Sequence, residues 1–344
     1  MRENELRTHL LAGHVIPAHP LALTAARTLD ERRQRALTRY YLDAGAGGIA
    51  VGVHTTQFAI RDCGLLAPVL ELAARTTADW QRTTAQPRAV ALIAGAIGPT
   101  PQAIREATIA KDLGYHAVLL SLGALQSATD AELVDHCRAV ADVLPLVGFY
   151  LQPAVGGRDL SYDVWRSLCE ITRVVAIKVA PFDRYRTLEV MRAVADSGRR
   201  DIAMYTGNDD SIVADLVAGF PGGLWFAGGL LGQWAVWTHR AVEMLKETQH
   251  ARTAGQVPAS LLSSGANLTD ANAALFDPSH QFAGCIPGIH EALRRQGLLA
   301  NILTLDEREV LSHGQLGEID RVMASYPGLR DDEFVAENLD RWLA

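Results

Sequence analysis

Short apolar runs alternate with amphipathic stretches along most of this chain, and that alternation sets its elements. The apolar runs are rich in Val, Ile, Leu and Ala, as strands buried on both faces are. They fall at His14–Ala18, Ile49–Val53, Ala89–Ala94, Ala117–Leu120, Leu146–Tyr150, Val174–Pro181, Ile202–Thr206 and Gly223–Ala227. Between them the apolar spacing is helical. Asp30–Ala44 buries the stripe Ala36, Leu37, Tyr40, Tyr41 and Ala44, and Leu65–Trp80 and Asp130–Val143 follow suit. Pro101 stands near the start of another helix, where its missing N–H costs nothing, and Ser161 with Asp159 can cap the one running through Ile171. Eight β–α alternations with buried-type strands predict an α/β protein, a closed (β/α)8 TIM barrel rather than an open doubly wound sheet. Past Leu245 the character changes. Gly255–Asn272 is polar and rich in Gly and Ser, and helical spacing resumes at Ile289–Ala300, Asp306–His313, Glu318–Ser325 and Asp332–Leu343. The division expected is a barrel over residues 1–246 and a C-terminal helical extension over 247–344, packed on the barrel rather than folding alone.

One run breaks the pattern. Val174–Pro181 is β-branched and closed by proline, yet it carries Lys178, one of only three lysines (Lys111, Lys178, Lys246). A buried unpaired charge costs several kcal/mol, roughly, so such a lysine is paired, neutral or employed. Strand alternation puts Ala176 and Ala180 on its face, leaving room beside the amine. The plain reading is a strand-end lysine reaching for water. The chemical one is an amine of lowered pKa that attacks a carbonyl carbon to form a Schiff base.

Composition acts mainly by exclusion. At 344 residues, 49% hydrophobic and 21% charged, the chain suits a soluble globular protein with one large core or two ordinary ones. A formal net charge of −7 with scattered arginines argues against nucleic acid as a partner. Met1–Leu10 mixes charges without an apolar core, and no run is long enough to span a bilayer, so a cytoplasmic protein without a membrane partner is expected. Cys63, Cys137, Cys169 and Cys285 lie far apart, favouring free thiols over disulfides or zinc. Gly45–Ala50 fits a dinucleotide pattern but follows a helix and precedes a strand, the reverse of the order that presents a helix N-terminus to phosphate. His14 and His19 lack acidic or histidine partners at a supporting spacing, so no metal is expected.

In a barrel of this kind the reacting groups sit at the C-terminal ends of strands. Lys178 stands late in the sixth run. Tyr150 ends the fifth, on the face of Gly148 and Gln152, where a phenol can shuttle protons to and from a carbinolamine. His54, Thr55 and Thr56 follow the second run, and their polar groups suit a carboxylate. Gly207, after the seventh, lets a ligand approach the backbone, while the aspartates beyond it read as helix caps. His19 is placed at the barrel mouth.

Together these residues resemble the dihydrodipicolinate synthase/N-acetylneuraminate lyase family of class I aldolases. The likeness covers about Gly13 to Leu245. Tyr150 and Lys178 match its catalytic tyrosine and Schiff-base lysine in spacing and in consecutive strands. Phe149-Tyr150-Leu151-Gln152-Pro153 is similar to its Y-N-x-P, Ala176-Ile177-Lys178 to its G-[IV]-K, Thr55-Thr56 to the hydroxyls of its G-T-T-G-E, and Gly207-Asn208-Asp209 to its G-D-D. Gln57-Phe58 replaces that Gly-Glu, Val155 stands where the synthases carry a substrate-binding arginine with Arg158 out of register, and Leu120 to Leu125 hold no intersubunit tyrosine. The resemblance implies a homotetramer or homodimer, no cofactor, and a small carbonyl substrate of the 2-oxo acid class. Lys178 and Tyr150 are then catalytic, with His54, Thr55, Thr56, Gln152, Gly207 and His19 binding substrate. The chain is expected to be a Schiff-base lyase, aldolase or dehydratase but not a true dihydrodipicolinate synthase. Trp225 and Phe226, at the eighth run, suggest room for a bulkier or less charged partner. The competing readings are a catalytically retired barrel that binds a small ligand and, last, a barrel oxidoreductase or phosphate-dependent enzyme.

Overall fold

The computed structural model describes residues 1–344. Its strands are β1 (Val15–Pro17), β2 (Gly48–Val51), β3 (Ala91–Ala96), β4 (Ala117–Leu120), β5 (Leu146–Leu151), β6 (Val174–Ala180), β7 (Ala203–Thr206) and β8 (Phe226–Leu231). From β2 to β8 each strand pairs in parallel with the next in sequence, and β1 pairs in parallel with β8. Between β1 and β2 the ring closes through the Ala18–Ala50 bridge, with the His19 N–H on the Ala50 carbonyl at 2.8 Å. The helices lie outside, giving the expected (β/α)8 barrel with C-terminal helices added.

The eighth strand begins later than Gly223. Pro221–Gly223 is a tight turn with Gly222 at φ 68, and Trp225 lies outside the strand, 41% exposed. The strand runs on through Gly228 and Gly229, whose lack of side chains hid it. A Cβ on Gly228 would come 2.3 Å from the His14 carbonyl oxygen, and one on Gly229 2.7 Å from the Trp234 ring. Trp225 and Phe226 therefore stand at the N-terminal end of β8, away from the end that carries Lys178, and they line no part of its cavity.

That N-terminal end is plugged by a helix, Glu3–Ala12, absent from the elements expected of the sequence. Leu6 and Leu10, one turn apart, are each 1% exposed and join the barrel interior with Ile16, Ile93 and Leu119. Tyr205 of β7 donates its hydroxyl to the Leu10 carbonyl at 2.9 Å.

The helix Thr238–Ala254 runs without a break across residue 246, so the extension begins beyond it. Most of the Gly/Ser-rich stretch is the helix Ala259–Phe276, and the next is Cys285–Arg295. Asp306–His313 is not helical. Thr304 Oγ1 hydrogen-bonds to the carbonyls of Asp306 at 2.7 Å and Glu309 at 3.1 Å, and these bonds fix an irregular course. The last helix, Asp332–Leu343, returns to the first barrel helix, Glu31–Ala44: Trp342 Nε1 donates to Asp43 at 2.6 Å, and Tyr40 Oη donates to Asp331 at 2.8 Å. No helix is long and apolar enough to cross a membrane.

Candidate active site

In β6, Lys178 pairs with Phe149 of β5 on one side and Tyr205 of β7 on the other. Residues in register on parallel strands point the same way, so all three face the barrel interior. Lys178 is 8% exposed, and its Nζ lies 4.5 Å from the centroid of the Phe149 ring. Its stem runs over Gly207, where a Cβ would stand 2.6 Å from Lys178 Cε and 2.7 Å from Ala180 Cβ. Glycine is needed there because the lysine occupies the space.

Asp209, just beyond the end of β7, lines the same cavity as the amine. Burial takes the Lys178 pKa down to about 8, and Asp209 resists the fall. Burial likewise raises Asp209 to about 7, with Lys178 pulling the other way. Asp209 is 7% exposed. Its Oδ1 accepts the Gln233 backbone N–H at 3.1 Å, and its own carbonyl accepts Asn272 Nδ2 at 2.6 Å. Sequence reading took Asp209 for a helix cap. Only register across the barrel, which no local pattern encodes, brings it to the lysine.

Around this pair lies a cavity of about 50 Å3. His54, Thr55, Gln152 and Gly207 line it together with Val155. His54 is held neutral, its pKa down to about 4 through burial and the nearby lysine. Thr55 gives its hydroxyl proton to the Ala18 carbonyl at 2.8 Å, so its oxygen can still accept. Four phenylalanines make the walls: Phe149, Phe182, Phe276 and Phe282. Phe182 and Phe282 both take left-handed backbone, at φ 52 and 65, and their rings meet at 5.6 Å. Phe276, Phe282 and Cys285 come from the extension. Nothing in the barrel repeat points to them. Burial pushes the Cys285 thiol well above its usual range.

Three expected residues lie elsewhere. Tyr150 is turned outward: β5 sends Phe149 and Leu151 inward, so Tyr150 between them packs on Trp165 at 5.4 Å between ring centroids. It is 1% exposed, and its hydroxyl has no hydrogen-bond partner in the protein. Gln152 reaches the cavity because β5 ends at Leu151 and the chain turns through Pro153–Val155. Thr56 is a turn clamp, with Oγ1 donating to the His19 carbonyl at 2.7 Å and accepting the Gly52 N–H at 3.0 Å. His19 is wholly buried behind β1, not at the mouth, with Nε2 2.9 Å from Thr38 Oγ1 and its ring edge-on to Tyr41.

The departures from the family pattern also take physical form. Arg158 reaches the Leu125 carbonyl and, at 3.2 Å, the Ala128 carbonyl, and does not line the cavity. Gln57 holds φ 69 where the family motif has glycine, and its Oε1 accepts the Leu305 N–H of the extension at 2.6 Å. No group of His, Cys, Asp and Glu side chains is gathered in a way that could hold a metal.

A closed parallel barrel with a desolvated lysine late in its sixth strand is the architecture of aldolase-type lyases. The sequence profile of the dihydrodipicolinate synthetase family matches residues 12–249, and the chain belongs to that family. Among solved structures it resembles a dihydrodipicolinate synthase from Acinetobacter baumannii complexed with pyruvate, with TM-score 0.75, 20% identity and coverage of 92% of this chain and 99% of that one. CdNal from Clostridium difficile, solved with mannosamine, gives TM-score 0.73 and 17% identity over 91% and 99%. A dihydrodipicolinate synthase variant described as monomeric gives 0.76 and 18% over 93% and 98%. At such identities the likeness is one of fold. No curated protein matches the chain.

Proposed function

We propose that this chain is a class I aldolase-type lyase or dehydratase in which Lys178 forms a Schiff base with the carbonyl carbon of a 2-oxo acid or related substrate. The observation that carries the reading is the buried Lys178 amine, which lines an otherwise uncharged cavity inside the barrel together with Asp209. A pKa brought down to about 8 leaves a useful fraction of neutral amine near neutrality. The amine nitrogen attacks the carbonyl carbon, the C=O π electrons move onto oxygen, and a proton passes from the nitrogen to that oxygen, giving a neutral carbinolamine. Asp209, whose raised pKa lets it hold a proton near neutral pH, donates that proton to the departing hydroxyl. Water leaves, and the iminium then withdraws electrons from the adjacent carbon, so a carbon–carbon or carbon–oxygen bond can break or form there. Asp209 replaces Tyr150 in the proton-transfer role, since Phe149 brings no hydroxyl to the lysine.

The same cavity argues against dihydrodipicolinate synthase activity. That reaction must orient a second substrate's carboxylate, for which a forked arginine is suited, and none lines this site. The four phenylalanines favour a partner with less charge. Incubation with a panel of 2-oxo acids and neutral aldehydes plus borohydride, read by intact mass and peptide mapping, tests the proposal. A stable adduct on Lys178 is expected, and label only on Lys111 or Lys246 would refute it. In the coupled assay with pyruvate and aspartate semialdehyde, turnover of about one per second or more would overturn the negative part. The second reading, a ligand-binding barrel without turnover, is favoured by the missing phenol, and adducts without product from any panel member would support it. On family grounds the protein is read as a homodimer or homotetramer, which light scattering tests.

A further inference from the structure

A second buried carboxylate, Asp215 on the short helix Ile212–Val217, sits in a closed polar network beside the turn that carries Asp209. Its Oδ2 accepts the Thr206 hydroxyl at 2.5 Å and Asn208 Nδ2 at 2.9 Å. Its Oδ1 accepts Arg184 Nη1 at 2.5 Å. A carboxylate taken out of water is costly unless its oxygens are satisfied, and here three donors, one a guanidinium, satisfy it. Asn208, 2% exposed, is used just as fully. Its Nδ2 donates also to Thr187 Oγ1 at 3.1 Å, its Oδ1 accepts the Phe182 N–H at 3.1 Å, and its own N–H donates to Thr206 Oγ1 at 3.2 Å. The bonds thus join the ends of β6 and β7 to the helices Arg184–Ser197 and Ile212–Val217. None of Thr206, Asn208 and Asp215 lines the cavity, so none touches a substrate there. Their neighbours do line it. Asn208 lies between Gly207, against which the Lys178 stem packs, and Asp209, and it holds the backbone of the Phe182 wall.

We propose that Asp215 is a positioning residue: through Thr206 and Asn208 it fixes the turn Gly207–Asp209, and with it the place of the Asp209 carboxylate relative to the Lys178 amine. The role rests on the chemistry proposed for Lys178 and Asp209, and it names the group that holds that pair together. A strand end has no further ladder to fix it, and proton transfer tolerates little error in distance.

The test reads Lys178 directly. Burial and the Asp209 charge set its pKa of about 8, and Asp215 exerts no pull of its own. With only three lysines in the chain, a 13Cε NMR titration of lysine-labelled full-length protein follows Lys178 without any substrate, Lys178→Arg assigning its signal. Asp215→Asn keeps the shape but turns one acceptor oxygen into a donor that faces either Arg184 or Asn208. The Lys178 midpoint should then move to lower pH, in the direction of Asp209→Asn and by less. Turnover on a confirmed substrate should fall by about 10–10²-fold, as a misplacement of about 1 Å does, with kcat changed more than KM. In the Asp209→Asn background the same substitution should leave the midpoint where Asp209→Asn put it, because Asp215 acts only through Asp209. Should Asp215→Asn fold poorly, Thr206→Val removes one donor with little change of shape and should shift the midpoint the same way. A midpoint unmoved or raised in whichever variant folds overturns the role, as does a shift of undiminished size in the Asp209→Asn background. The expected shifts without any borohydride adduct on Lys178 would uphold the role and refute the Schiff-base reading alone.

Discussion

Lys178 and Asp209 perturb each other in opposite senses, and the signs give a test at the level of single residues. The amine is nucleophilic only when neutral, so borohydride trapping should speed up as pH rises through about 8 and then level off. Asp209 is the charge that holds the lysine pKa up, so Asp209→Asn should move that midpoint to lower pH. Trapping near neutral pH should then quicken while turnover on a confirmed substrate falls by roughly 10²–10⁴-fold, as loss of a proton-transfer group does. A midpoint that stays put or rises in Asp209→Asn would separate the two residues. Tyr150→Phe makes the contrasting case: its hydroxyl is unpartnered and its ring packs on Trp165, so stability and turnover should change by less than about 0.5 kcal/mol and about twofold. A large drop in turnover, read by steady-state kinetics, would return the phenol to the chemistry. The buried position of the lysine was legible in the sequence because a charge in a β-branched run has few explanations. The outward direction of Tyr150 was not legible, because a one-residue change of register sends a side chain to the opposite face, and register is settled across strands rather than along them.

Among the elements, the eight strands were readable from their apolar runs, because a strand buried on both faces has nowhere to hide polar residues. Glycine obscured the helix Ala259–Phe276 and the far end of β8, and for the reason that it was needed. In the helix Ala259–Phe276 a Cβ on Gly265 would stand 2.9 Å from Val213 Cβ, so small residues let this helix lie close against Ile212–Val217. The polar, Gly/Ser-rich stretch is in fact a close packing seam. Gly265→Leu should therefore destabilise the protein by about 1–3 kcal/mol in urea unfolding, as overpacking does, despite the better helix propensity of leucine. A neutral or stabilising result would mean that the two helices can part freely. Gly207→Ala meets the stem of Lys178 itself. It should suppress trapping at Lys178 more than it lowers stability, and mass mapping beside a urea melt separates the two effects.

For the molecule as a whole, the extension completes the barrel rather than decorating it. It supplies Phe276, Phe282 and Cys285 to the cavity and, through Asn272, grips the carbonyl of Asp209. Its far end is anchored as well: Asp43 on the first barrel helix accepts Trp342 Nε1 at 2.6 Å and Trp80 Nε1 at 2.7 Å, so one carboxylate ties barrel and C-terminus together. A single apolar core, running from Leu37 and Val69 of the barrel to Leu275, Ile289 and Trp342, joins them further. Parts that share a core and its buried hydrogen bonds unfold together. Urea unfolding followed by tryptophan fluorescence, and by the capacity of Lys178 to be trapped, should therefore give coincident midpoints. Trp342→Phe removes one donor from Asp43 and should lower both midpoints in step, at a cost of about 1–3 kcal/mol. An extension that melts first, with trapping lost before the barrel's fluorescence changes, would show two cooperative units in place of one. The 277–284 connection, with left-handed Asp277, Gln281 and Phe282, would then be the place where they part.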